Sequence, residues 1–200
     1  MFNKTNLATL AAIVAIIVIT APPVHRTMHM ASSADGLLLL ASFADDDFSL
    51  NPWSEDCYLV RQDMAVAILK RFGWPYRHRG SAYWPYELPP LIYQAIGARG
   101  VVSNESDIRL LDLISVFIDR KRPINKPWDG YMPIHLAILS GDIEVVELLL
   151  EHDVDLDATI SNPGRAHHGM DSFEFAELLL KESSPAREQI YEALKTARSK

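Results

Sequence analysis

The sequence predicts an all-α protein made of stacked helix hairpins. Residues 129–158 contain two short apolar stripes with helical spacing, and Gly141 separates them where the chain must turn. Pro133 stands at the first helical position, where its missing N–H does no harm. Such a hairpin cannot bury both apolar faces alone, so neighbouring hairpins must stack on it. The first stripe is Ile134, Ala137 and Ile138, and the second is Ile143, Val146, Leu149 and Leu150.

The composition is that of a globular protein. Hydrophobic residues make up 48% of the 200 residues and charged residues 22%, which indicates a packed core rather than a disordered chain. The formal net charge of -7 argues against a nucleic-acid partner, because phosphates demand clustered Lys and Arg. Cys57 is the only cysteine, so neither an intramolecular disulfide nor a CxxC zinc site can form.

An apolar run from Leu7 to Ala21 follows Lys4 near the amino terminus. The run suits the central region of a secretory signal, and it reaches the length of a bilayer span only if it extends over residues 7–24. Pro22 would follow the nearest cleavage point and block it, so the sequence favours an uncleaved membrane anchor. A signal cleaved near residues 32–34 and a buried cytosolic helix are the two alternatives.

This amino-terminal pattern also predicts a location. A signal-like segment favours the amino terminus inside the cell and the folded domain outside it. The basic residues Lys4 and Arg26 flank the run on both sides, so the positive-inside rule hardly decides the orientation. We expect a membrane-anchored protein with a periplasmic domain, or a secreted periplasmic protein if the segment is cleaved.

The segment from Asp129 to Ala158 reads DGYMPIHLAILSGDIEVVELLLEHDVDLDA. It resembles the ankyrin repeat, whose pattern joins a DGxTPLHLAA segment, a GHxEVVxLLL segment and a closing GADVNA. The agreement covers both helices with the correct spacing, and it implies a protein-binding module rather than an enzyme. The matching positions are Gly130, Pro133 to Ala137, Gly141, Glu144 to Val146, and Leu148 to Leu150, followed by Asp155.

Two degenerate copies flank this segment, so the resemblance implies about three repeats between Leu88 and Lys200. The upstream copy has its two helices separated by an insertion around Gly97 to Ser106, and the downstream copy has Ser172 in place of the proline. The last helix carries charges on its outer side, as a terminal cap requires. The copies comprise Pro90 to Ile96 with Ile108 to Asp119, and Gly169 to Ala176 with Ala186 to Ala197.

Three departures from the family pattern affect the expected packing. Met132 replaces the family's Thr and Asp142 its His, and both changes are expected to weaken the hydrogen bonds between adjacent turns. Asp153 replaces the Gly that takes a left-handed conformation after the second helix. Asp tolerates that conformation at modest cost, so we expect an irregular but intact stack.

The predicted organisation has three regions. Residues 55–200 are expected to form one repeat domain, in which a helical extension precedes the repeats. Ser54 to Asp56 suit the start of a helix in that extension, and its inward face is predicted to be Leu59, Met64, Ala67, Ile68 and Phe72. The regions are 1–30 (signal peptide or anchor), 31–54 (tether and a short helix at Gly36 to Ala44), and 55–200 (extension 55–87, repeats 88–200).

Side chains that could carry chemistry have simpler interpretations. His135 occupies the position of the family's structural histidine. The adjacent pair His167 and His168 makes a poor chelate, and Asp153 to Asp157 lack the Gly and bidentate Glu of a calcium loop. The segment from His25 to Met30 has ligands that suit copper, but in an unanchored tether. The sequence therefore predicts no catalytic residue, no metal site and no cofactor.

The expected binding surface follows from the resemblance, because repeat tips and inner helices form a concave surface that binds proteins. Trp and Tyr dominate interface energetics, so Trp128 is expected to contact the partner; packing on the neighbouring turn is the alternative. The predicted partner-binding residues are Trp128, Asp129, Tyr131, Leu139, Ser140, His167 and His168.

The functional expectation is a non-enzymatic protein-binding module held at or beyond a membrane. One specific form is an immunity protein or inhibitor that neutralises a toxin enzyme. The alternative is a membrane-associated scaffold, in which the anchor over residues 7–24 provides the function and the repeats locate a second protein. The sequence does not identify the protein partner.

Overall fold

The computed structural model describes residues 34–42, 59–72, 90–99, 104–120, 124–181 and 184–199. In these ranges the chain forms eight α-helices and no β-strand, apart from one isolated bridge between Trp128 and Tyr131. The all-α prediction is therefore confirmed. The helices are α1 (Ala34–Ser42), α2 (Gln62–Phe72), α3 (Leu91–Ala98), α4 (Asn104–Asp119), α5 (Pro133–Ser140), α6 (Ile143–Leu150), α7 (Ser172–Leu180) and α8 (Pro185–Arg198).

The chain divides into two units, residues 1–79 and 80–200. The division falls inside the predicted extension 55–87, and the predicted domain boundaries stay predictions. In the first unit α1 packs against α2 through a largely apolar contact. The buried residues are Leu37, Leu38, Leu40 and Ala41 in α1, and Gln62, Ala65, Val66 and Leu69 in α2.

The predicted inward face of the extension helix was wrong at three of its five residues, whereas Ile68 is half-buried and the side chain of Phe72 lies outside the described residues. Leu59 is 58% exposed and Met64 is 53% exposed, and Ala67 is also exposed. Residues 59–61 are not helical, and the helix begins only at Gln62. The stripe with i, i+3, i+4, i+7 spacing therefore starts at that residue and lies on a different side of the helix. Ser54 to Asp56, the predicted start, lie outside the described residues.

The second unit is a ladder of three helix pairs. The first helices form one row, in which α3 packs on α5 and α5 on α7. The second helices form a parallel row, in which α4 packs on α6 and α6 on α8. Each pair also contacts internally, so every hairpin buries its apolar faces between its neighbours. The side chains of Leu113, Ile134, Val146 and Leu194 are completely buried in these contacts.

Local sequence signals set the ends of these helices. α5 begins at Pro133 and ends at Ser140, and the next residue, Gly141, terminates it in the left-handed conformation (φ 73°). α7 begins after Asp171, whose carboxylate accepts hydrogen bonds from the N–H groups of the first turn. The predicted insertion from Gly97 to Ser106 is shorter than expected, because α3 extends to Ala98 and α4 starts at Asn104.

No helix in the described ranges is long and apolar enough to cross a membrane. The predicted anchor over residues 7–24 and residues 31–33 of the predicted tether (31–35) lie outside those ranges. Ala34 and Asp35, predicted as tether, instead begin α1. The predicted short helix at Gly36 to Ala44 corresponds to α1, which begins at Ala34 and ends at Ser42.

Candidate partner-binding surface

The tip before α5 is a tight two-residue turn. Trp128 N–H donates to the Tyr131 carbonyl at 2.9 Å, and Tyr131 N–H donates back to the Trp128 carbonyl at 2.9 Å. Asp129 and Gly130 between them both have positive φ, 47° and 80°. A two-residue turn of this kind requires positive φ at both positions, and it matches the natural twist of the bridged backbone. The turn therefore holds three of the predicted binding residues together.

This tip is also bonded to the next one. The Ser161 N–H donates to the Gly130 carbonyl at 2.9 Å. A Cβ atom on Gly130 would lie 2.1 Å from the Ser161 carbonyl oxygen, so only glycine permits the approach. The second tip is a longer loop, closed where Ile160 N–H donates to the Met170 carbonyl (2.9 Å) and Gly169 N–H to the Ile160 carbonyl (2.8 Å). This loop carries His167 and His168.

Tyr131 and His167 connect the two tips through their side chains. The Tyr131 hydroxyl lies 2.5 Å from His167 Nε2, with 5.6 Å between the ring centroids. The His167 ring also contacts the Phe175 ring of α7 at 5.2 Å. Both residues of the pair are half-buried. The structure thus joins two residues that the sequence placed on one surface, although they lie 36 positions apart.

The remaining predicted residues lie around this pair. Leu139 and Ser140 are exposed at the carboxyl end of α5, and the Ser140 hydroxyl donates to the Ala137 carbonyl at 3.0 Å. Trp128 is half-buried beside the turn. His168 is exposed and lines a groove along α7, so it diverges from His167. No described contact joins Leu139 directly to the tips.

His135 is completely buried beneath the second tip. Its Nδ1 accepts a hydrogen bond from the Met132 N–H at 3.1 Å, and its ring meets the Phe175 ring edge-on at 6.2 Å. Burial lowers the pKa of His135 to about 4, although the backbone of Ala158 favours the proton. The neutral ring therefore caps α5 and packs on the following helix pair, which is a structural role.

Residues 129–160 match the family model described as Ankyrin repeat. This segment is an ankyrin repeat. The resemblance predicted for Asp129 to Ala158 is confirmed, and the flanking helix pairs stack on the segment as ankyrin helical repeats do. The chain matches no curated protein and no solved structure. Ankyrin repeats generally bind protein partners and are typically non-enzymatic.

Tyr93 holds the position of His135 in the helix pair before the ankyrin repeat. Each is the third residue of its first helix. The Tyr93 hydroxyl lies 2.7 Å from the Lys126 carbonyl and 2.8 Å from the Tyr131 carbonyl, where it ties α3 to the next tip. Burial raises the pKa of Tyr93 above its ordinary value. Pro90 precedes its helix instead of starting it, and this one-residue offset hid the role of Tyr93 in the sequence.

Arg99 is a second residue that the sequence did not single out. Its buried guanidinium donates to Asp142 at 2.5 Å, to Glu144 at 2.6 Å and to the Asp107 carbonyl at 2.6 Å. Asp142 also caps α6 by accepting from the Val145 N–H at 3.2 Å. The expectation that Asp142 weakens the ties of the ankyrin repeat to its neighbour was wrong. Asp142 replaces the family's His with an ion pair across the two helix pairs.

The acidic turn that closes the ankyrin repeat is also structural. Asp153 has φ 55°, the left-handed conformation that its position predicted. The Asp155 carboxylate accepts from the N–H groups of Asp157 (3.1 Å) and Ala158 (3.2 Å), which closes a local turn. Among the described residues, no group of three His, Cys, Asp or Glu side chains could hold a metal ion.

Proposed function

We propose that this chain is a protein-binding module that holds its partner on the surface formed by the repeat tips and the inner helices. The observation that carries the proposal is the exposure of Leu139, which is 44% exposed although the adjacent Ile138 is buried. An exposed apolar side chain on the inner row suits an interface, because the buried core of an interface is more apolar than the rest of a protein surface. The proposed surface comprises Trp128, Asp129, Tyr131, Leu139, Ser140, His167 and His168.

A substitution of Trp128 can distinguish a role in partner binding from a role in packing. If its ring contacts the partner, Trp128→Ala should weaken binding by at least about 30-fold, which corresponds to about 2 kcal/mol. If it only packs on the neighbouring tip, the variant should lose stability instead. Melting and affinity measured on the same variant decide between the two. Lost affinity with an unchanged melting curve supports the proposed surface.

Leu139 gives the sharper test because the chain offers a matched control. Ile108 is 70% exposed on α4, which belongs to the other row of helices. Leu139→Asp and Ile108→Asp introduce the same charge at exposed apolar positions, so neither should unfold the chain. With the full-length chain as bait, proteins captured by wild type and Ile108→Asp but not by Leu139→Asp are the partners of this surface. Identical captures for all three would reject the proposal.

We further propose that residues 7–24 hold this module at a membrane with its domain on the periplasmic side. The support is the apolar run from Leu7 to Ala21 behind Lys4. Fractionation and intact-mass measurement test this proposal: a full-mass protein in the membrane fraction agrees with it. A soluble cytosolic protein of full mass would reject it, and a shortened periplasmic form would indicate a cleaved signal.

The class of partner is a further part of the proposal. We favour a toxin enzyme that the module inhibits, because a small acidic binding protein can cover a basic active-site surface. Mass spectrometry of the captured proteins tests this assignment directly. A secreted enzyme whose activity falls on addition of the chain supports the inhibitor, whereas a subunit of an inner-membrane complex would favour the scaffold.

A further inference from the structure

The third inner helix, α7, differs from the two before it at two positions. The third and sixth residues of the inner helices are buried in α3 (Tyr93 and Ile96) and in α5 (His135 and Ile138). In α7 the same positions are the exposed Glu174 and Glu177. The third position normally reaches the following helix pair, as the Tyr93 bond to the Tyr131 carbonyl shows. The two glutamates therefore lie on the face where another inner helix would stack.

This face is not a flat polar surface. A groove of about 470 Å³ runs along it between the loop of the last tip and α7. Met170 and Leu178 are half-buried in the groove, whereas Glu174, Glu177 and Lys181 are exposed beside them. A polar face is enough to keep an uncovered repeat soluble, and it does not require a groove with an apolar floor.

We propose that this groove receives an amphipathic helix of a partner protein that carries Lys or Arg residues beside its apolar stripe. The first argument is geometric. The same face of α3 and of α5 accepts a helix in the present stack, so the corresponding face of α7 has the shape to accept one more. An apolar stripe on the incoming helix would cover Met170 and Leu178.

The second argument is electrostatic. Glu174 and Glu177 are three residues apart and lie on one side of α7, so two cations one helical turn apart can face both. Glu177 makes no ion pair with Lys181 or any other group in the described part of the chain. One Glu174 oxygen accepts from the Asp171 N–H at 3.2 Å, which leaves the other available. Lys181 at the far end disfavours a third cation there.

The same charges disfavour a second copy of this chain as the occupant. Two α7 helices packed face to face would bring four carboxylates against two Lys181 ammonium groups. The repulsion between the four carboxylates would exceed the attraction between the carboxylates and the two ammonium groups. A basic helix from a different protein meets the glutamates without this repulsion, and the chain's own net charge of -7 attracts it from a distance.

The test uses the full-length chain and two synthetic helical peptides of about five turns. One peptide has leucines at helical spacing flanked by lysines, and its twin has glutamates in place of the lysines. The variant is Glu177→Lys, which leaves the cap of α7 intact. Glu192→Lys is the control, because Glu192 is exposed on α8 and undergoes the same charge change, although it also loses an exposed ion pair with Lys195. Circular dichroism checks that both variants fold as the parent does.

We expect the lysine peptide to bind and the glutamate twin not to bind. Glu177→Lys should weaken the binding about ten-fold or more, whereas Glu192→Lys should change it less than about two-fold. Glu174→Gln, which keeps the cap bond through the amide oxygen, should give a smaller loss in the same direction. Absence of saturable binding, or equal losses for both lysine variants, would overturn the proposal. So would a dimer of the chain that Glu177→Lys dissociates, because a second copy would then occupy the groove.

Discussion

The guanidinium of Arg99 and the carboxylate of Asp142 are joined at 2.5 Å across two successive helix pairs. Burial by itself would lower the pKa of Arg99, but hydrogen bonds to Asp142 and Glu144 and the charge of Asp107 raise it, so the residue stays charged inside the stack. Its contact with Asp142 fixes the start of α6 relative to the end of α3. The pair therefore sets the register between the first helix pair and the ankyrin repeat.

Arg99→Ala is expected to destabilise the chain by about 3 kcal/mol, the low end for breaking a buried ion pair. The loss arises because the Asp142 side chain, 12% exposed, would retain only the Val145 N–H as a hydrogen-bond partner among the described residues. Glu144→Gln is the control. Because Glu144 is 62% exposed, this variant should lose less than about 1 kcal/mol of stability. Urea unfolding measures both. Equal, small losses would show that the pair contributes little.

Gly130→Ala is expected to cost more than Gly141→Ala, although both glycines have similar positive φ. A left-handed conformation alone costs roughly 1–2 kcal/mol for alanine. At Gly141 nothing lies within 4 Å of the new Cβ, so that is the whole cost. At Gly130 the Cβ also collides with the Ser161 backbone and breaks the bond between the tips. Thermal melting of the two variants compares them, and equal melting temperatures would contradict this geometry.

The lowered pKa of His135 predicts how the stability of the fold depends on pH. The folded chain binds a proton at His135 only near pH 4, because burial lowers that pKa from the ordinary 6.5. The unfolded chain takes up the same proton near pH 6.5 and therefore binds more protons between these values. The contribution of His135 to the stability of the fold is complete above pH 6.5. It is lost as the pH falls towards 4, by at most about 1.4 kcal/mol per pH unit.

The pH experiment compares His135→Gln with wild type. The variant keeps a polar side chain near the Met132 N–H but cannot titrate, so the slope of unfolding free energy between pH 4 and 6.5 should become shallower. His168→Gln, the same substitution at an exposed histidine outside the core, is the control. Urea unfolding across this pH range gives the slopes. Wild type and His135→Gln with the same slope would rule out His135 as its source.

Tyr93→Phe is expected to destabilise the chain by about 1–3 kcal/mol, because it removes the only donor that reaches both the Lys126 and Tyr131 carbonyls in the described part of the chain. Tyr191→Phe is the control. The Tyr191 hydroxyl makes no hydrogen bond within the described ranges, so that loss should stay below about 0.5 kcal/mol. Chemical unfolding separates the two. Similar effects of both substitutions would show that the Tyr93 hydroxyl does not tie the repeats together.

Part of the proposed binding surface could be predicted from the sequence. The family pattern marks Trp128, Asp129 and Tyr131 as a tip and Leu139 as an inner-helix position, and these assignments need only the spacing within one repeat. The spacing within one repeat does not predict the hydrogen bond between Tyr131 and His167. It depends on how the longer last loop folds back on the ankyrin repeat, which no local pattern specifies.

Local sequence signals are enough to specify the hairpin at the centre of the stack. The ring of Pro133 favours a helix start, and Gly141 accepts a left-handed turn that other residues resist, so both helix ends follow from local chemistry. Apolar residues at helical spacing then specify the buried faces of α5 and α6. These signals act within a few residues, and for that reason they can be identified in the chain without knowledge of its neighbours.

Contacts between groups far apart in the chain depend on how the helix pairs pack. Arg99 and Asp142 are 43 residues apart, and Tyr93 and Tyr131 are 38 apart. Whether each pair touches depends on the register of one helix pair against the next. A shift of one residue, such as the offset of Pro90 from its helix, moves a side chain by about 100° around the helix. The spacing of residues along the chain does not determine this rotation. The packing of the neighbouring helix pair determines it.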